Sequence, residues 1–194
     1  YTQISSSIMQ SVLKIFIAGS TELMRQREIV KNEISNFNTL IYHENIYFAP
    51  FSFENFPNAL TDERQQVLYN NFIENEADIM ILLVKCKINH ISKEEFKLAY
   101  SSCNKKKHPA TFVFNEYYPS ADLTELDNFF KNYDYYTKYT SDAELRLLVH
   151  NSLQMYLNEI HKADSKFSPV QRNSIMNFHR VKISYAEAIL KNVR

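Results

Sequence analysis

Glycine is nearly missing from this chain: Gly19 is the single one in 194 residues. That scarcity argues against every glycine-rich phosphate cradle. There is no G-x-G-x-x-G turn and no Walker A loop, so neither a dinucleotide-fingerprint dehydrogenase nor a P-loop enzyme fits. Cysteine is also sparse, with Cys86 and Cys103 alone, which rules out a disulfide framework and fits a reducing compartment. Charge of either sign is not in excess. Lys+Arg and Asp+Glu both number 22, so bulk electrostatics give no support for nucleic acid or a membrane surface as partner. The longest apolar run, "ADIMILLV" at 77–84, is far short of the roughly 20 residues a bilayer requires. No secretory apolar region with a cleavage site opens the chain. The expected location is cytoplasmic.

Metal and nucleophile signatures are missing as well. The six histidines form no H-x-x-x-H or H-E-x-x-H pair, and Cys86 with His90 finds only Cys103 as a further thiol, so no metal site is expected. No nucleophile elbow occurs, and the serines at 5–7 read as a cap or linker. The basic run "NKKKHP" at 104–109 reads as a solvated loop.

What is present is a hydrophobic content of 45%, rich in Phe and Tyr, enough for a packed domain. "KIFIAGS" (14–20) reads as a buried strand ending in a turn, and 21–37 as a helix with Leu23, Val30, Ile34 and Phe37 at helical spacing. "IYFAPFSF" (46–53) is an extended edge segment marked by Pro50. A helix over 64–77 places Leu68, Phe72 and Ile73 on one side, and "DIMILLV" (78–84) has the continuous apolar character of a central parallel strand. A helix from about Ser92 to Asn104, a strand at 109–115, a short helix at 124–133 and a strand at 135–140 follow. The helix at 141–160 opens with an S-x-x-E box and carries Leu145, Val149, Leu153, Tyr156 and Ile160 on one stripe. After a polar link at 162–167, a last helix begins with Ser168 as cap and Pro169 in its first turn.

Five β-α repeats predict a doubly wound, flavodoxin-like three-layer α/β domain. Its sheet has five parallel strands in the order 2-1-3-4-5, with an extra C-terminal helix. The expected layout is an N-terminal extension at 1–13, the α/β domain at 14–161 and a helical extension at 162–194. In such folds ligands sit beyond the carboxyl ends of the strands, where the strand order switches. That edge is built here from Gly19, Ser20 and Thr21, the exit of strand two at 50–56, and the loop "KCKINH" at 85–90 leading to Ser92. Gly19 either lets backbone approach a phosphate or simply serves a strand-to-helix turn. The aromatics of "YFAPFSFENF", Phe51 and Phe53 among them, either stack on a ring or belong to the core.

"ISKEEFKLAY" (91–100) contains the sharpest candidate. Phe96, Ala99, Tyr100 and Cys103 define its apolar face. Glu94 points away from that face. Glu95 lies at its border, beside Ala99, where it is either the acid of a Ser92–Glu95 capping box or a carboxylate aimed at a substrate.

Three stretches together resemble the bacterial branch of the TIR (Toll/interleukin-1 receptor) superfamily, which overlaps in pattern with nucleoside 2-deoxyribosyltransferases. They are "KIFIAGSTELMRQR", with Arg27 early in the helix, "YNNFIENEADIMILLV", and "ISKEEFKLAY", whose E-F-x-x-A is similar to the element holding the catalytic glutamate in both families. The resemblance covers roughly 14–160 and places that glutamate at Glu95. It implies an NAD⁺ glycohydrolase or cyclase, with NAD⁺ as substrate rather than cofactor and no metal. The implied substrate-binding residues are Gly19, Ser20, Arg27, Phe51, Phe53, Lys85 and Ser92. It also implies homo-oligomers on activation, a sensor domain or partner protein, and a role in antiphage defence. Many TIR domains carry Trp or Cys shortly before the glutamate. Ile91 and Ser92 stand there in this chain, which shifts the grip on the nicotinamide ring onto Phe51 and Phe53. A deoxyribosyltransferase family member usually supplies an aspartate from the loop after the central strand. "KCKINH" has lysines and no acid, which suits a diphosphate better than protonation of a base.

Overall fold

The structure, a computed structural model, describes residues 11–55, 62–133 and 136–164. Five strands, β1 (Ser11–Gly19), β2 (Ile46–Phe51), β3 (Ile79–Val84), β4 (Ala110–Glu116) and β5 (Thr137–Tyr139), form one parallel sheet in the order β2-β1-β3-β4-β5. Five α-helices connect or follow them: α1 (Met24–Leu40), α2 (Asp62–Asn75), α3 (His90–Lys106), α4 (Thr124–Phe130) and α5 (Asp142–Asp164). The expected flavodoxin-like topology and strand order are therefore those of the molecule.

All six residues of β3 are buried, because the strand is central and covered on both faces. Its side chains alternate between two cores. Ile79, Ile81 and Leu83 join Ile15, Ile17, Phe112 and Phe114 under α1 and α5. Met80, Leu82 and Val84 join Phe16, Ala18 and Val113 on the other face, with Phe72, Ile73, Phe96 and Phe130 from α2, α3 and α4. The chain leaves β1 toward β2 on one side and returns past it to β3 on the other. Right-handed crossovers then put α1 and α2 on opposite faces and open a crevice between the carboxyl ends of β1 and β3.

Several boundaries differ from the sequence reading. β1 begins at Ser11, whose N–H donates to Asn45 O (2.8 Å), so 11–13 belong to the domain. A 3₁₀ turn at Thr21–Leu23 precedes α1. Leu68 is 41% exposed; the buried stripe of α2 runs through Tyr69, Phe72 and Ile73, one residue further along. The basic run is the end of α3, with Lys105 and Lys106 in its last turn, where cations face the helix carbonyls, and Lys107 as the left-handed cap. α5 continues to Asp164, through part of the expected polar link. Its opening box forms with a shift: Glu144 N–H donates to Ser141 Oγ (3.2 Å), while the Glu144 carboxylate accepts from Thr140 N–H (2.6 Å). The helix expected from Ser168 lies outside the described residues.

The outer edge of β2 is closed by a side chain. Asn38 of α1 donates to Phe48 O and accepts from Phe48 N–H, both at 2.8 Å. This amide occupies the hydrogen bonds that a further strand would need.

Candidate active site

Gly19 ends β1 at φ +152°, and a Cβ there would lie 3.0 Å from Leu83 O and 3.2 Å from Leu83 Cβ. Both the dihedral and the close approach to β3 require glycine. The chain's own packing thus accounts for the residue. Ser20 follows at the head of the 3₁₀ turn and donates its hydroxyl to Glu22 (3.1 Å).

Arg27 is fully buried. Its guanidinium donates to Ser20 O (2.7 Å), Gly19 O (3.2 Å) and Glu54 (3.3 Å), and lies 4.6 Å from the ring centre of Phe53. It braces the β1 turn against the exit of β2. Burial pushes the Glu54 carboxyl up, but the Ser52 hydrogen bond, its own backbone and the charges of Arg27 and Lys31 outweigh that and hold it below the usual range. Phe53 is half-buried under Arg27, and Phe51 packs on Phe72 of α2 at 5.0 Å between ring centres.

After β3 the chain makes a tight turn. Lys87 N–H donates to Lys85 O (2.6 Å), and Cys86 sits at φ +56°, a strained conformation for a non-glycine residue. Asn115 of β4 secures it by accepting from Cys86 N–H (2.8 Å). The turn sends the two lysines apart. Lys85 pairs with Glu116 of β4 (3.3 Å), whereas Lys87 lines a cleft of about 280 Å³ with Ser20, Glu22, Asn89, Ser92 and Glu125. Lys87, absent from the expected site residues, takes the position expected of Lys85.

The capping box at Ser92 does not form. Asn89 caps α3: its extended backbone precedes the first helical residue, and its Oδ1 accepts from Ser92 N–H (2.7 Å). The helix therefore begins before Ser92 and leaves Glu95 in the second turn, where backbone N–H groups are already paired within the helix. Glu95 is not a cap. An asparagine just ahead of the helix was the available signal.

Glu95 is 5% exposed, whereas Glu94 is exposed and accepts from Asn70 of α2 (2.9 Å). Burial pushes the Glu95 carboxyl up to about 7; a hydrogen bond from the Gln66 side chain opposes the rise and the neighbouring Glu94 charge adds to it. Tyr69, also on α2, is raised by burial against a hydrogen bond from Gln65, with the charges of Glu95 and Glu54 raising it further. Glu95 thus faces the seam between α2 and α3, three residues along the helix from Ser92 in the cleft wall. Ser20 and Ser92 share the cleft, Glu95 lies outside its lining on the α2–α3 side, and Phe51 packs on α2. Lys85 is turned away, and the terminal nitrogens of Arg27 bond within the protein while its buried Nε has no hydrogen-bond partner among the described residues.

Gln66 and Tyr69 were not among the expected site residues, since only the packing of α2 on α3 brings them to Glu95. Among the described residues, no group of three or more His, Cys, Asp or Glu side chains could hold a metal ion. No helix among them is long and apolar enough to cross a membrane. The chain matches no protein-family model and no curated protein with which it was compared.

Proposed function

We propose that this chain is a TIR-type NAD⁺ glycohydrolase or cyclase, with Glu95 as its catalytic carboxylate. The observation that carries the reading is one buried glutamate, lifted to about 7, beside the strand-order switch of a doubly wound sheet. Cleavage of the ribosyl–nicotinamide bond passes through an oxocarbenium-like state. The electron pair of the breaking C–N bond goes to the pyridinium nitrogen, and nicotinamide leaves neutral. No general acid is needed. A single carboxylate can stabilise the developing cation directly or through the ribose hydroxyls. Water then captures the sugar and loses a proton to solvent, or a nitrogen of the adenine captures it and closes a ring.

The adjoining cleft offers Lys87, Ser20 and Ser92 to a diphosphate, beside the carboxylates of Glu22 and Glu125. Transfer of a nucleobase between deoxyriboses would instead require a proton donor for the leaving base. Glu125, the acid of the cleft on α4, suits that poorly: the hydrogen bond and charge of Lys93 hold its carboxyl below the usual range.

Nicotinamide release from NAD⁺, followed by chromatography, tests the reading. Glu95→Gln is expected to reduce it by about 10²–10³-fold or more, with Glu94→Ala retaining most of it. The rate should rise with pH through about 7, as the Glu95 carboxylate forms, and then level off. Base exchange between deoxynucleosides would move the assignment to a deoxyribosyltransferase. Absence of any turnover at high protein concentration would leave a self-associating module.

A further inference from the structure

Two neighbours at the end of β4 hold the turn that follows β3. Asn115, opposite Val84 in the sheet, is fully buried, and its Oδ1 accepts from Cys86 N–H at 2.8 Å. Glu116 belongs to the other face of the sheet. Its carboxylate pairs with Lys85 (3.3 Å), and its backbone oxygen accepts from the Cys86 thiol (3.2 Å). Because a backbone N–H only donates, the amide of Asn115 must present its oxygen to Cys86. That leaves Asn115 Nδ2 buried with no hydrogen-bond partner among the described residues. A side chain that only filled space here would be better apolar, since an unsatisfied buried donor costs stability. The amide oxygen is therefore the part of Asn115 that the turn uses. Cys86 needs it, because φ +56° is unfavourable for a residue with a Cβ and its N–H would otherwise be buried unpaired.

The turn decides which lysine meets the cleft. Lys85 is tied to Glu116, whereas the Lys87 side chain makes no hydrogen bond or ion pair among the described residues. Of the described residues that line the cleft, Lys87 is the one cation. Glu22 and Glu125 line it too, and Lys93 pairs with Glu125 at 2.7 Å. An anion entering beside two carboxylates depends on Lys87 being in place. We infer that Asn115 is the positioning residue for Lys87, and that this buried amide of β4 sets the affinity of the cleft for a diphosphate. Asn115 does so without touching the ligand, through the backbone of Cys86. The choice of ligand rests on the proposed NAD⁺ reaction; the positioning does not.

Hydrogen exchange and lysine labelling test the positioning without substrate. In the intact protein the Cys86 amide should be protected from exchange, and an unprotected amide would overturn the inference before any variant is made. Brief acetylation with acetic anhydride, read by peptide mass spectrometry, should label the unpaired Lys87 several-fold ahead of Lys85. Asn115→Ala should bring the two lysines close to equal labelling. Asn115→Leu, which leaves no room for a water in place of the amide oxygen, should do so more completely. Adding Cys86→Gly to either variant removes the cost of the left-handed backbone and should restore part of the Lys87 preference. The parent labelling ratio in a folded Asn115→Leu variant would overturn the positioning role. In the NAD⁺ assay, Lys87→Met should raise KM by about tenfold and leave kcat within about twofold, as for a contact made equally in ground and transition states. Asn115→Leu should raise KM by a similar factor and the double variant no further, because one residue acts through the other. Additive losses would overturn that coupling. If the labelling ratio shifts and no NAD⁺ is cleaved, the positioning stands and the reaction assignment falls; cleavage with labelling and KM unchanged gives the reverse.

Discussion

Two glutamates sink into this protein on opposite faces of the sheet, and their partners differ. Glu33 of α1 is 9% exposed and meets His150 of α5, with Nδ1 to Oε1 at 3.0 Å. His150 also stands edge-on to Phe37, 5.1 Å between ring centres, so this pair ties the two helices of that face together. Glu95 of α3 is 5% exposed and has an amide donor, a tyrosine and a second carboxylate for neighbours. A buried acid bonded to a ring nitrogen on a neighbouring helix is a structural tie. Glu95, whose carboxyl burial lifts, gives up stability to remain ionisable, and this separates the candidate catalytic residue from the structural one.

The largest test of that contrast is the pH dependence of stability. Burial lifts the Glu95 carboxyl from 4.5 to about 7 in the folded chain, so the unfolded chain releases this proton first as pH rises. Stability from this group is complete below about 4.5, falls as pH climbs to about 7, and is constant beyond. Glu95→Gln removes the loss. The variant should match the parent near pH 4 and exceed it at pH 8 by on the order of 3 kcal/mol, measured by urea unfolding at both pH values. A constant difference across the range would contradict a buried, uncompensated carboxylate.

A smaller effect is expected on the other face. His150→Ala leaves the Glu33 carboxylate without its ring partner and should cost about 1–2 kcal/mol at pH 6, since the imidazole is one-third exposed and screened by solvent. An unchanged urea midpoint would show that the α1–α5 contact does not depend on this pair. Smallest of all, Glu94→Ala removes only an exposed hydrogen bond to Asn70 and should alter stability by no more than about 0.5 kcal/mol. A loss as large as that at His150 would mean that the Asn70–Glu94 bond helps hold α2 on α3.

Much of this contrast was legible in one dimension. The helical wheel of "ISKEEFKLAY" separates Glu94 from Glu95 because residues a turn apart share a face, and the structure exposes the first and buries the second. The cap at Asn89 was missed because Asn89 and Ser92 are both residue types that cap helices, and the backbone starts the helix at the earlier one. Arg27 was expected to reach a substrate. Its position early in α1 was read correctly, but the carbonyls of Gly19 and Ser20 and the ring of Phe53 take up its guanidinium.

The order of strands and helices, the central place of "DIMILLV", and the choice of Glu95 over Glu94 came from the sequence alone, because periodicity of 2 or 3.6 residues is a local property of the chain. The partners of those residues came only with tertiary structure. Which lysine after β3 enters the cleft depends on a turn held by Asn115, 29 residues further along. Which side chain addresses Glu95 depends on how α2 lies on α3. Contacts between elements far apart in sequence leave no periodic trace, so the environment that lifts a glutamate to about 7 exists only once the helices have packed.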